Sequence, residues 1–247
     1  MQRKADAAMT DGWAQSADAW VASLGDRGDF GRRHVLDAPM LQRALAASPA
    51  SALDVGCGEG RFCRMLGERG VTAVGLDPTP ALLDRARALD PGGDYREGRA
   101  EALDFEDGAF DLIVSYLSLI DIPDISAAIP EMARVLRPGG RLLIANLTAF
   151  NTAGLGGLGW TALADGRRAF ALDRYLDERA EWTSWAGIAI QNWHRPLETY
   201  MSLLLGAGLT LRHFAEPPPH GGDPVTGDRY RRAPWFMIME WEKPKRP

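Results

Sequence analysis

The sequence predicts an α/β fold, a mostly parallel sheet with helices on both faces. Two observations carry this. From Ser51 onward, short apolar runs alternate with longer amphipathic ones, as strand–helix–strand units do. The runs Phe110–Ser115 and Arg141–Leu147 are almost continuously apolar, which marks strands covered on both faces.

The elements follow in order. Residues 1–47 read as helical, with Trp13, Ala17, Trp20 and Leu24 at helical spacing, a turn at Gly25–Gly31 and a second helical run over Arg32–Ala46. Ala52–Val55 is a strand entering Gly56-Cys57-Gly58-Glu59-Gly60. Arg61–Gly70 is a helix with Phe62, Met65 and Leu66 on one face. Val71–Leu76 is a strand, Thr79–Leu89 a helix, and Asp94–Glu97 a short strand. Strand Phe110–Ser115 leads to helix Ile125–Leu136, which Arg137-Pro138-Gly139-Gly140 ends. Strand Arg141–Leu147 follows. Residues 148–195 are rich in Gly, Trp and charge, and break the rhythm. They are expected to form an inserted cap with helical pieces. The beat returns with helix Leu197–Ala207 and strand Leu209–Ala215, then a Pro/Gly-rich loop over Pro217–Pro224 and a last strand over Trp235–Trp241.

Composition narrows the function. The chain has 247 residues, 46% of them hydrophobic, enough for one large domain or a core with a cap. A net charge of -5 disfavours a nucleic-acid partner. No apolar run is long enough to span a bilayer. Arg3 and Lys4 are followed by no apolar stretch, so no secretory signal is expected and the location is read as cytoplasmic. Cys57 and Cys63 flank one turn and read as free thiols. Four scattered histidines give no case for a metal.

The chemistry concentrates in Leu53-Asp54-Val55-Gly56-Cys57-Gly58-Glu59-Gly60. Spaced glycines after a buried strand let a ligand lie on bare main chain. Asp77, closing the next strand, has the spacing of an acid that binds a ribose diol. The dinucleotide fingerprint wants a third glycine where Arg61 stands. Asp54, beside the turn, suits a ligand with an ammonium group better than a pyrophosphate. These features suit an adenosine-containing ligand that carries an ammonium group, such as S-adenosylmethionine. The plainer reading is a tight strand–helix turn with no ligand.

On these residues the chain resembles the class I S-adenosylmethionine-dependent methyltransferases, in their bacterial small-molecule branch (methyltransferase type 11-like). Leu53–Gly60 is similar to the family's first motif and Val74–Asp77 to its second. Gly98–Leu103 is similar to the adenine-covering segment, Asp111–Ser115 to the fourth strand, and Leu136–Gly140 to the turn before the fifth. The resemblance implies a Rossmann-like, seven-stranded sheet with the last strand antiparallel. Residues 48–147 and 196–247 would form its core, 1–47 a helical lid hinged at Gly25–Gly31, and 148–195 the cap. The cofactor site it implies comprises Arg33, Asp54, Gly56, Cys57, Gly58, Gly60, Asp77, Pro78, Ala100, Glu101, Ser115 and Tyr116. One departure stands out: Arg99 occupies a position where many relatives carry Asp for the adenine amino group.

The lid and the cap are the segments expected to cover a small-molecule acceptor. Trp13, Trp20, Trp160, Trp185 and Trp193 are candidate walls of that pocket, against the alternative that they pack cap onto core. Trp182 shares that ambiguity. His194, in Trp193-His194-Arg195-Pro196-Leu197, is a candidate base or carboxylate partner, with helix capping as the plainer role. Tyr116 and Asp121, past the fourth strand, are the other candidates for chemistry. Arg32 and Arg33 could meet a cofactor carboxylate. The function this supports is methyl transfer to an oxygen or nitrogen nucleophile by direct displacement. A nicotinamide-dependent oxidoreductase and a non-catalytic scaffold are the competing readings. The oligomeric state is not legible.

Overall fold

A computed structural model describes residues 11–25, 27–155 and 159–245. Arg3 and Lys4 lie outside them. The central sheet takes β1 (Ser51–Val55), β2 (Thr72–Asp77), β3 (Asp94–Glu97), β4 (Phe110–Tyr116) and β5 (Leu136–Leu147) from the first half of the chain. Two hairpins follow: β6 (Trp160–Ala162) with β7 (Arg168–Phe170), and β8 (Arg179–Trp185) with β9 (Ile188–His194). Then β10 (Thr210–Ala215) and β11 (Phe236–Glu242) complete the sheet in the order β10-β11-β5-β4-β1-β2-β3. β1 pairs in parallel with β2 and β4, β2 with β3, and β4 with β5; β11 lies antiparallel between β5 and β10. The seven strands and the reversed last strand are as the sequence leads one to expect.

Alternation along each strand builds two cores. Leu53, Val55, Ile113, Leu142 and Ile144 face one side, where α5 (Ile125–Val135) and α7 (Leu197–Gly206) supply Ile129, Met132, Tyr200 and Leu204. Ala52, Leu112, Val114, Leu143 and Ala145 face the other, against Phe62 and Leu66 of α3 (Arg61–Gly67) and Met40 of α2 (Asp37–Leu45). Period-two alternation with apolar residues on both faces is what a sheet sandwiched by helices requires. A fifth core helix, α4 (Pro80–Leu89), buries Leu82, Leu83 and Ala86.

The edges of several elements differ from expectation. Arg137–Gly140 is part of β5, because Gly139 N–H donates to the Lys243 carbonyl and Lys243 N–H to that of Gly140, which continues the pairing past the Pro-Gly-Gly step. A helix missing from the sequence reading, α8, spans Pro224–Arg232. Its signature is legible in retrospect: Asp223 caps the Thr226 N–H at 2.7 Å and Pro224 opens the first turn.

The cap over 148–195 is largely β, which corrects the expectation of helical pieces. Its one helix among the described residues is α6 (Ala149–Thr152). The β8–β9 hairpin turns at Ala186 (φ 45°) and Gly187 (φ 81°), both left-handed as a two-residue hairpin loop demands. At the N-terminus, α1 (Trp13–Leu24) packs against β9. Ser16 Oγ donates to the Ala189 carbonyl at 3.0 Å, and Gln191 N–H donates to the Asp11 carbonyl at 2.8 Å. A wide, π-helical turn over Arg32–Leu36 then runs into α2.

Candidate cofactor site

A cleft of about 1010 Å³, open to solvent, lies at the carboxyl ends of β1, β2 and β4. Its floor is the turn after β1. Gly56 (φ 77°) lets Ser118 press onto the backbone: a Cβ there would sit 2.3 Å from Ser118 Cβ. Gly58 (φ 56°) has no heavy atom within 4 Å of where a Cβ would stand, so its main chain is open to the cleft. Its N–H donates to Asp77 Oδ2 at 2.9 Å, and the Thr79 N–H donates to Asp77 Oδ1 at 2.9 Å. Burial raises the Asp77 carboxyl above its ordinary range, and these two N–H donors hold it back.

Asp54 is 1% exposed, and its Oδ1 has no hydrogen-bond partner among the described residues. Its Oδ2 accepts only the Cys63 thiol, at 3.6 Å. Desolvation pushes this carboxyl up to about 7; Cys63 opposes the shift, and Asp77 and Glu59 add to it. An acceptor atom buried without a donor is costly, and marks a place where a ligand supplies the donor.

The wall opposite comes from the N-terminal segment. Trp13 and Trp20 meet edge to face at 5.0 Å, and Arg32 stacks over Trp20 at 5.0 Å while pairing with Asp29. Arg61 stands where a dinucleotide site needs glycine. Its guanidinium grips Asp37 at 2.9 and 2.5 Å, and Tyr116 donates its hydroxyl to the same carboxylate at 2.8 Å. Breaking into that triad is what a third glycine would mean here.

Of the residues singled out from sequence, Asp54, Gly56, Cys57, Gly58, Asp77, Pro78, Ala100, Glu101, Tyr116, Trp13 and Trp20 line this one cleft. So does Arg99, paired with Glu101 at 3.3 Å. Asp121, the other candidate past the fourth strand, lines it too. The remaining candidates lie elsewhere. Arg33 is exposed, and Arg32 takes the cleft position instead. Gly60 faces the Tyr95 ring, and Ser115 is buried in the sheet with its hydroxyl on Ser118 at 2.7 Å. Trp160 packs on Phe170 beneath Arg232, and Trp193 lies under Arg195. Trp182 is exposed, and so is Trp185, 6.2 Å from Trp20.

His194 is not in the cleft either. It is 2% exposed, its Nε2 donates to the Tyr175 carbonyl at 2.9 Å, and its Nδ1 lies 2.7 Å from Thr152 Oγ1. Burial lowers its pKa. With both nitrogens occupied by the cap, it has no lone pair for an acceptor. Tyr116 reaches the cleft, but burial first and Asp37 second push its hydroxyl far up, so it is no base at neutral pH. Sequence reasoning passed over Ser118, Leu117 and Asp11, which line the cleft through loop geometry that no local motif announces.

A profile for a methyltransferase domain matches residues 53–144. A 27% identical structure, an S-adenosylmethionine-dependent methyltransferase from Mesorhizobium loti, superposes with a TM-score of 0.75 over 88% of this chain and 100% of its own. Over residues 53–144 the chain carries a methyltransferase domain, and its fold is that of the class I S-adenosylmethionine-dependent methyltransferases. Among curated relatives, a malonyl-[acyl-carrier protein] O-methyltransferase from Serratia marcescens is 33% identical over 60% of this chain and 56% of its own length. An uncharacterised methyltransferase from Mycobacterium tuberculosis is 41% identical over 40% of each. The chain thus spans about half the length of the curated relatives it matches.

The family's cofactor, S-adenosylmethionine, fits the residues present. The orphaned Asp54 Oδ1 is suited to its ammonium, the free lone pairs of Asp77 to the ribose hydroxyls, and the open main chain at Gly58 to close approach. Ala100 and Glu101 would border the adenine. Among the described residues no group of His, Cys, Asp or Glu is arranged to hold a metal, and no helix is long and apolar enough to cross a membrane.

Proposed function

We propose that this methyltransferase transfers a methyl group to an oxygen or nitrogen nucleophile of a small-molecule acceptor. The observation that carries the reading is the partnerless Asp54 oxygen, facing the same cleft as Asp77 and the bare Gly58 main chain. S-adenosylmethionine supplies an activated methyl group with a neutral thioether leaving group. What remains for the chain is binding, orientation and the exclusion of water. Asp54, Asp77 and Gly58 hold the cofactor. Trp13 and Trp20 offer the acceptor an apolar wall, and Asp121, Ile122 and Pro123 face it from the loop after β4. The Serratia relative, by its name, methylates an oxygen, one of the two acceptor atoms this reading allows. The acidic balance of the chain disfavours nucleic acid, and its two free thiols suit a cytoplasmic setting.

Calorimetric titration of S-adenosylhomocysteine tests the reading. Wild type is expected to bind, and Asp77→Ala to bind at least about tenfold more weakly, a loss of roughly 1.4 kcal/mol. A folded wild type that binds none would overturn it, in favour of a scaffold that keeps the fold.

A further inference from the structure

The cleft holds more acid than a cofactor uses. Six carboxyl side chains line it: Asp11, Asp54, Glu59, Asp77, Glu101 and Asp121. Glu59 is paired with Arg64 and Glu101 with Arg99, while the cleft arginines Arg32 and Arg61 are already taken by Asp29 and Asp37. Asp54 and Asp77 have their uses at the cofactor. Asp11 and Asp121 are left; Asp11 accepts the Trp13 N–H at 3.1 Å at the start of α1, whereas Asp121 stands in the loop after β4, and among the described residues no cation pairs with it.

The fold works to keep Asp121 there. Leu117, at φ 60°, holds a left-handed conformation that a branched side chain rarely adopts. Ser118 Oγ fastens the next residue to the Val55 carbonyl at 2.5 Å. Arg195, 2% exposed, gathers the rest of the loop: its guanidinium donates to the carbonyls of Leu119, Ile122 and Pro123 at 3.2, 2.8 and 2.8 Å. The cap then reaches in, and Asn192 Nδ2 donates to Asp121 Oδ1 at 2.5 Å. The donors to Asp121, Asn192 and the Trp13 side chain, are both neutral, so its charge stays unpaired; an unpaired charge in such a place costs several kcal/mol, which a cationic ligand would offset.

Resting on the methyltransferase reading, we infer that Asp121 is the acceptor-binding carboxylate and that the acceptor nucleophile is an amine nitrogen. A cationic or hydrogen-donating amine satisfies Asp121, and the Trp13 ring presents an aromatic surface that favours a cation. An acceptor carboxylate would meet Asp121 and Asp11 with no free cation in between among the described residues. Burial, with Asp77 and Asp11 adding to it and Asn192 and Trp13 opposing, pushes the Asp121 carboxyl well up, which suits a group that receives a proton. In the transfer, the bound ammonium first gives a proton to Asp121; the lone pair this frees forms the new N–C bond as the methyl C–S bond breaks, its electron pair staying on sulfur, and the methylated nitrogen leaves as an ammonium.

The test uses the S-adenosylhomocysteine-loaded protein and three matched probes: benzylamine, benzyl alcohol and benzoate, titrated calorimetrically at about pH 7.5. Benzylamine is expected to bind wild type at least about tenfold more tightly than either of the others. In Asp121→Asn that advantage is expected to shrink to about threefold or less, with the affinity for S-adenosylhomocysteine kept. A wild type with no preference for benzylamine overturns the proposal, and so does a variant that keeps the preference. The wild-type comparison stands even if the variant fails to fold. Failure of the wild type to bind S-adenosylhomocysteine would instead remove the methyltransferase reading, and this inference with it.

Discussion

Arg61, the first residue of α3, donates through both terminal nitrogens to Asp37, the first residue of α2. The pair ties the N-terminal segment to the turn that floors the cleft. Both side chains are only 15% exposed, and Tyr116 adds a third bond to the same carboxylate. Removing one partner of such a pair strands the other. Arg61→Met is therefore expected to lower unfolding free energy by about 3 kcal/mol, measured by urea denaturation. It should also weaken S-adenosylhomocysteine binding. An unchanged denaturation midpoint would show that the pair holds nothing together.

Asp54 gives the site a pH dependence with a definite sign. A ligand ammonium binds the ionised carboxylate, whose folded pKa is about 7. Affinity for S-adenosylhomocysteine should therefore rise as pH increases from about 6 to 8 and then level off. Stability of the ligand-free protein runs the other way. The folded value lies above the unfolded one, so the contribution is full below the unfolded pKa and is lost as pH rises through about 7. The whole swing is on the order of 4 kcal/mol. Asp54→Asn should flatten both profiles, and parallel wild-type and variant curves would refute the assignment.

His194 separates chemistry from architecture. Its substitution by Ala strands the Tyr175 carbonyl and the Thr152 hydroxyl, at a cost of about 1–3 kcal/mol in stability. Thermal unfolding should register that loss, while S-adenosylhomocysteine affinity stays within about threefold of wild type. A variant as stable as wild type would contradict the structural role.

The parts that sequence reveals and conceals divide along physical lines. Leu53–Gly60 and Asp77 are legible because strand, turn and acid are local to about 25 residues, and the chemistry follows from their spacing. The seven-stranded, mostly parallel sheet with its last strand reversed follows from the family resemblance once those motifs are seen. Arg32 and Arg33 could not be told apart because the π-helical turn over Arg32–Leu36 shifts the phase on which a helical reading relies. His194 draws attention by its chemistry, yet its partners Tyr175 and Thr152 come from other parts of the cap. The cap itself resists reading because its β8–β9 hairpin turns on Ala186-Gly187 rather than on Asn-Gly or Asp-Gly, and β8 buries little of its apolar surface.

The seam between α1 and β9 bears on how selectivity could be moved between relatives. Gly12 lies so close to the Ala189 carbonyl that a Cβ would come within 2.1 Å of it, and Ser16 bonds both the N–H and the carbonyl of Ala189. Two stretches some 170 residues apart are thus cut to one another's shape. A chimera that grafts the hairpin alone inherits a mismatched joint. Residues 11–24 and 179–194 have to be exchanged as a single unit.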